Sequence, residues 1–223
     1  SFLINSDNFL RAVRVFFSGM DEKEEQDQNL DRFRPVSNRY EVKKVADFKV
    51  IDEWVSPESR ILDLGCGRGI LLEHLRNTKG IKGLGIDFER SKATSCIARG
   101  VSVYQQDIRM ALKNLADDSF DWVIFSRMVE ELTEPGYVIL EALRVGKRVA
   151  VSFVNHGYWK NRLHFLRYGN RIQNEVYPKR WEKSGLRNHF SIHEFEKFCL
   201  ESQKQGHEFK IGRKIFHQGD WSK

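Results

Sequence analysis

The chain has 223 residues, 40% hydrophobic and 12% aromatic, enough for one α/β domain with modest additions and a sizeable core. No apolar run nears the roughly 20 residues a membrane span needs, and residues 1–20, which mix Phe9, Phe16 and Phe17 with Asp7, Arg11 and Arg14, read as neither a span nor a signal peptide. The net charge of +6 is uneven: residues 144–223 hold 17 Lys/Arg against 7 Asp/Glu, a net +10, which leaves −4 for residues 1–143 and suits either a docking face for an acidic partner, an anionic substrate or nucleic acid, or plain solvated helix faces.

In chain order, Phe9, Val13, Phe16 and Phe17 stand at helical spacing and predict a helical N-terminal extension over residues 1–39, with the polar stretch at residues 21–29 as a surface loop or exposed helical turn. Val42, Val45, Phe48, Ile51, Trp54 and Val55 then recur every three or four residues, predicting a helix that Ser56-Pro57 ends. Strands at 60–64, 82–86, 101–105, 122–126 and 148–154 alternate with helices at 70–76, 90–99 and 136–143. That alternation predicts a doubly wound α/β fold with a mainly parallel sheet. An aromatic and basic segment follows, a helical insert over about 156–190, and after it a helix at 192–202 and a last strand at 209–216. Residues 40–223 thus form the main domain. Cys66, Cys96 and Cys199 are odd in number, widely spaced and lack a Cys-x-x-Cys pair, which predicts a reducing cytoplasmic setting and no metal.

The most informative motif is Ile61-Leu62-Asp63-Leu64-Gly65-Cys66-Gly67-Arg68-Gly69-Ile70, an apolar strand running into a glycine turn and a helix. Glycine there lets the backbone turn tightly and approach a ligand closely. The third glycine falls one residue early for a dinucleotide fingerprint, and Asp63 would set negative charge beside a pyrophosphate, so NAD is disfavoured. An acid at that point suits a cationic ligand such as S-adenosylmethionine, with its amino group and sulfonium. Asp87, ending the strand Gly83-Leu84-Gly85-Ile86, is placed to accept hydrogen bonds from both ribose hydroxyls. Asp107, after Val103-Tyr104-Gln105-Gln106, is placed to accept from the adenine amine while Ile108 packs on the base. As an isolated residue Asp87 also reads as a strand-end turn acid.

This set over residues 40–155 resembles the class I methyltransferase family. The resemblance implies a Rossmann-like sheet of seven strands, S-adenosylmethionine as cofactor, S-adenosylhomocysteine as product, and a binding set that adds Cys66, Phe88, Gln106 and Ser126 to Asp63, Gly65, Gly67, Gly69, Asp87, Asp107 and Ile108. Phe120-Asp121-Trp122-Val123-Ile124-Phe125-Ser126, Leu143-Arg144-Val145-Gly146, Val151-Ser152-Phe153 and Asn155-His156-Gly157-Tyr158-Trp159 further resemble the MetW family of methionine-biosynthesis proteins, as do Arg162, Leu166, Gly169, Trp181 and Phe195. That family implies action beside homoserine O-acyltransferase, a link to a pathway rather than to one reaction. This chain departs from it at Ser126-Arg127, where the family has Ser-Gln, and at Trp181-Glu182-Lys183-Ser184-Gly185-Leu186, where it has Trp-Tyr-Asp-Thr-Pro-Asn.

Methyl transfer from a sulfonium depends mainly on holding the reacting atoms in line with water excluded, so no protein nucleophile is required. Candidates for a general base are Glu130, Glu131, His156 and Tyr158. The two glutamates also read as solvated acids at a helix start, and His156 as a locally bonded loop histidine. The Asn/Asp-Pro-Pro-Tyr signature of base and glutamine methyltransferases is missing from Ile124-Phe125-Ser126-Arg127-Met128, and so is a Pro-Cys nucleophile. The segment from Trp159 to Tyr168, with Lys160, Arg162 and Arg167 among its aromatics, reads better as a pocket lid or partner-docking face, with Tyr158, Leu163, Phe165 and Leu166 on its buried side, than as an RNA surface. Two functions follow: a methyltransferase with a small acceptor, or a non-catalytic accessory or sensor subunit of a homoserine O-acyltransferase. Neither needs nucleic acid or a membrane.

Overall fold

The computed structural model describes residues 11–18, 39–170 and 187–217. Its sheet has the strands β1 (Arg11–Ser18), β2 (Arg60–Leu64), β3 (Lys82–Asp87), β4 (Ser102–Gln105), β5 (Trp122–Ser126), β6 (Arg148–Phe153) and β7 (Phe209–His217). They lie in the order β4-β3-β2-β5-β6-β1-β7, and every pairing is parallel. The helices are α1 (Arg39–Trp54), α2 (Ile70–Lys79), α3 (Arg90–Ala98), α4 (Ile108–Lys113), α5 (Pro135–Val145), α6 (Trp159–Tyr168) and α7 (Ile192–Lys204), with one 3-10 turn at Val129–Glu131.

Alternation along the central strands sends side chains to two cores. Leu62, Leu64, Val123, Phe125, Val149 and Val151 face the layer of α4, α5 and α7. Ile61, Trp122, Ile124 and Ala150 face α1, α2 and α3. Trp54 of α1 stacks on Trp122 with ring centroids 6.3 Å apart. Burial on both sheet faces explains the near-continuous apolar strands, as a parallel sheet covered on both sides requires. A Ser191–Glu194 capping box opens α7, and Phe195 and Cys199 from that helix join the first core.

Two expectations need correction. Residues 11–18 form a strand, not a helix, and it lies inside the sheet between β6 and β7. The helical spacing of Val13, Phe16 and Phe17 coexists with the β-branched and aromatic run Val13-Arg14-Val15-Phe16-Phe17, which suits a pleated strand equally, and tertiary pairing decided between them. Phe9 and the polar loop at 21–29 lie outside the described residues, as do Trp181 and the residues through Leu186. The second correction concerns α6. It buries none of its residues: Trp159, Leu163, Phe165, Leu166 and Tyr168 are all exposed, and only Tyr158, its N-cap, is buried.

A buried polar cluster fixes α1 against the ends of β5 and β6. Arg127 Nε donates to Asp47 Oδ2 at 2.8 Å, and Ser152 Oγ donates to the same oxygen at 2.8 Å. The Arg127 backbone N–H in turn donates to Ser152 Oγ at 3.1 Å. Asp47 is 2% exposed and Arg127 8%. These bonds hold Arg127 at φ 52°, a left-handed conformation that costs a non-glycine residue roughly 1–2 kcal/mol. Asp47→Ala removes the carboxylate that pairs with this buried guanidinium. Urea denaturation is expected to show a loss of about 3–5 kcal/mol.

Candidate functional site

The strand order reverses at β2. From β2 the chain moves outward through β3 and β4, then returns to β5 on the other side. The loops leaving β2 and β5 diverge there, and a crevice opens at the carboxyl ends of the strands. A cavity of about 530 Å³ occupies this crevice, within the range that binds small organic ligands. Its walls bring together Gly65, Gly67, Asp87, Phe88, Asp107, Ile108 and Ser126 of the expected set.

Gly65 and Gly67 leave β2 with φ of 72° and 59°. A Cβ on Gly65 would lie 2.6 Å from Met128 Sδ, whereas one on Gly67 would meet nothing within 4 Å and would occupy the room beside the loop. Asp87 braces the turn: its Oδ2 accepts from Gly67 N–H at 3.0 Å and its Oδ1 from Glu89 N–H at 2.9 Å. Asp107 caps α4, with Oδ1 accepting from Arg109 N–H at 2.9 Å and Met110 N–H at 3.4 Å. Phe88 stands at the cavity wall 78% exposed, and Ile108 is buried beside Asp107.

Four expected residues do not line the cavity. Asp63 is buried within β2, on the side facing α1 to α3. Cys66 turns beneath the loop, where its Sγ lies 3.8 Å from that of Cys96. Burial, with the Asp63 charge next in weight, pushes the Cys66 thiol up, so it is packing material rather than a nucleophile. Gly69 caps α2 in a left-handed conformation. The Gln106 side chain accepts from the Asp107 N–H at 3.2 Å.

Glu130 is not a solvated acid. It is 2% exposed, and its Oε1 accepts from Val154 N–H at 2.7 Å. Its carbonyl accepts from Arg187 N–H at 2.8 Å and Asn188 N–H at 2.9 Å. Burial pushes its carboxyl up to about 7, against the pull of its backbone hydrogen bonds and the Arg127 charge. Glu131, one residue on, lines the cavity. His156 packs edge-on against His189 at 4.6 Å, and neither it, Tyr158 nor any residue of α6 lines the cavity, which removes the lid reading. Residues that the sequence reading did not assign to the site complete its walls: Glu89, Lys92, Arg109, Arg127, Met128, Leu132, Thr133 and Arg187. Lys92 and Arg109 lie within a few residues of the expected acids and were within reach of the motif; Arg187, more than 50 residues beyond Thr133, had no local signal. Among the described residues no group of His, Cys, Asp and Glu could hold a metal ion, and no helix is long and apolar enough to cross a membrane.

A glycine turn after the central strand, acids ending the next two strands and a crevice at the point of reversal define a class I methyltransferase fold. The solved structures agree. The chain superposes with a TM-score of 0.51 on a SAM-dependent methyltransferase from Archaeoglobus fulgidus, at 22% identity over 77% of this chain and 70% of that one. It gives 0.51 with the YcgJ protein of Bacillus subtilis, at 16% identity over 71% and 68%. The profile of the family described as methionine biosynthesis protein MetW matches residues 45–219, and the chain belongs to that family. It is 30% identical over 131 residues to the bifunctional methionine biosynthesis protein MetXA/MetW of Rhodopirellula baltica, covering 55% of this chain and 21% of that protein. It is 37% identical over 111 residues to a ubiquinone biosynthesis O-methyltransferase of Hahella chejuensis, covering 46% and 45%. The matched stretches thus span about a fifth to a half of these relatives.

Two predictions test the geometry. Because the folded pKa of Glu130 lies above the ordinary 4.5, the native state holds a proton that the unfolded chain releases. This contribution to stability is present below 4.5 and lost as pH rises through about 7, a change on the order of 3 kcal/mol. In urea melts at pH 5 and pH 8, Glu130→Gln should therefore gain on the native chain as pH rises. Gly67→Ala should keep the fold at a cost of about 1 kcal/mol in urea melts, since only its φ is unfavourable and the added methyl group meets no atom within 4 Å.

Proposed function

We propose that the cavity binds S-adenosylmethionine and that the chain transfers its methyl group to a small-molecule acceptor. One observation carries this reading: the open side of Gly67, the Asp87 carboxylate and the Asp107 carboxylate, from three adjacent strand ends, line one cavity of about 530 Å³. When bound, the cofactor supplies a methyl group on a positively charged sulfur. Gly65 and Gly67 let the backbone approach its amino-acid end. Asp87 keeps lone pairs for the two ribose hydroxyls after accepting from Gly67 and Glu89. Asp107 directs Oδ1 to the start of α4, leaving Oδ2 for the adenine amine, with Ile108 and Phe88 as apolar flanks. The buried Asp63 acts from beneath the loop through its charge. Cys66, Gly69 and Gln106 shape the loop and strand ends instead of touching the ligand. Glu131 is the cavity-wall carboxylate placed to take a proton from the acceptor, whereas Glu130 is turned onto Val154.

A second reading has its own support. In Rhodopirellula baltica the MetW-like part belongs to a protein named MetXA/MetW. This chain would then act as a cofactor-binding accessory or sensor subunit of a homoserine O-acyltransferase. It needs the same cavity but no proton acceptor.

Calorimetric titration with S-adenosylmethionine and S-adenosylhomocysteine, with NAD as control, tests the shared premise. Both adenosyl ligands should bind and NAD should not. Asp87→Asn, which keeps the shape but loses an acceptor and the charge, should weaken both ligands by about 10- to 100-fold, in line with roughly 1.5–3 kcal/mol for hydrogen bonds to a charged group. No heat from the native chain with either adenosyl ligand overturns both readings.

A further inference from the structure

Among the described residues the cavity wall carries four cations, and three of them are already neutralised. Lys92 Nζ lies 3.0 Å from Glu89 Oε2 and 3.9 Å from Asp87 Oδ1. Burial works against its charge, and the Glu89, Asp87 and Glu131 carboxylates outweigh that, holding its pKa above the ordinary lysine value. Arg109 lies 2.8 Å from Glu134 and 3.6 Å from Asp107. Arg127 is bound to Asp47. Arg187 is the fourth, and among the described residues no carboxylate pairs with it: its guanidinium donates from Nη1 to Thr133 Oγ1 at 2.7 Å.

Arg187 is held in place from the chain side. Its N–H and that of Asn188 both donate to the Glu130 carbonyl, at 2.8 and 2.9 Å. Asn188 Nδ2 donates to Val129 O at 3.1 Å and Leu132 O at 2.7 Å. Residues 187–188 are thus laced to the turn after β5 by four bonds, and the fifth, to Thr133, aligns the guanidinium. That fifth bond has a chemical consequence. A threonine hydroxyl that accepts from arginine keeps its own hydrogen, so Arg187 and Thr133 both present donors to the same space.

We propose that Arg187 and Thr133 form a carboxylate-binding corner of the cavity. A planar guanidinium with remaining N–H groups, beside a hydroxyl donor, matches a carboxylate's two oxygens better than a spherical ion. This inference deepens the cofactor reading and rests on it for one of its two sources of carboxylate. The adenosyl ligand carries a carboxylate at its amino-acid end, and a second small organic acid sharing the cavity would carry another.

The experiment separates them. Native chain, Arg187→Gln, Arg187→Lys and Thr133→Val are titrated with S-adenosylhomocysteine and with 5′-methylthioadenosine, which lacks the amino-acid carboxylate. Each protein, loaded with S-adenosylhomocysteine, is then titrated with malonate at constant ionic strength while the arginine Nε–H signals are followed by nitrogen-15 NMR. If the carboxylate is the cofactor's, Arg187→Gln weakens S-adenosylhomocysteine about 10-fold, as expected for a charge-assisted bond in a partly exposed site, and leaves methylthioadenosine unchanged. If it belongs to a second ligand, both adenosyl affinities hold, malonate shifts the Arg187 signal saturably, and Arg187→Gln abolishes that binding. Arg187→Lys, which keeps the charge, should fall between, and separates loss of charge from damage to the strap. No change in either arm overturns the proposal. If the native chain binds neither adenosyl ligand, the cofactor reading fails by itself, and malonate titration of the unloaded protein decides the corner: binding lost in Arg187→Gln supports it, and no binding overturns it.

Discussion

Parallel pairing of β2 with both β3 and β5 is the constraint from which the site follows. A parallel strand delivers its exit loop to the same edge of the sheet as its neighbours' exit loops. The exits of β2, β3, β4 and β5 are therefore brought to one rim, and because the strand order reverses at β2, a crevice opens between the loops that leave β2 and β5. Gly67, Asp87, Asp107 and Ser126 share a cavity for that reason alone. Their chemistry is then refined locally: Asp87 fastens the glycine turn through Gly67 N–H, and Asp107 fastens the start of α4. Each acid has a structural bond and spare acceptor capacity at once, so the distinction between a turn acid and a ligand-binding acid is not a choice between alternatives here.

The opposite wall is built on a different principle. The turn after β5 holds two conformationally costly or desolvated groups, Arg127 at positive φ and Glu130 in the interior, and each is paid for by bonds to distant segments. Arg127 reaches α1 through Asp47, and Glu130 reaches the end of β6 and residues 187–188. A wall tied at three places to separate elements has little freedom to move alone, whereas Phe88 across the cavity is 78% exposed.

What could be read from the sequence divides along the same line. The glycine turn and the acids after β3 and β4 depend on local requirements, positive φ and the end of an apolar run, and those requirements are written in adjacent residues. Neighbouring Glu130 and Glu131 have identical propensities and opposite fates, because only the packing of Val154 and of residues 187–188 distinguishes them. β1 was ambiguous in period, and its pairing with β6 and β7 links residues about 135 to 200 positions apart. For α6, apolar content suggested burial that the fold does not supply, since exposed apolar residues are ordinary at a protein surface and carry no signal of which side they face.

Charge supplies a last example of pattern and placement diverging. The C-terminal third is strongly basic, with 17 Lys/Arg, yet among its described residues only Arg187 lines the cavity. Among the described residues the cavity has four acids, Asp87, Glu89, Asp107 and Glu131, facing four cations, Lys92, Arg109, Arg127 and Arg187. Three of those cations come from the acidic part of the chain and are matched by carboxylates close at hand. The basic excess is thus not a property of the site, and a ligand entering it meets a lining near neutrality in which hydrogen-bond geometry, rather than net field, discriminates. The exception is local: among the described residues, Arg187 is the cation of this lining with no carboxylate partner, and it donates to the Thr133 hydroxyl at one corner.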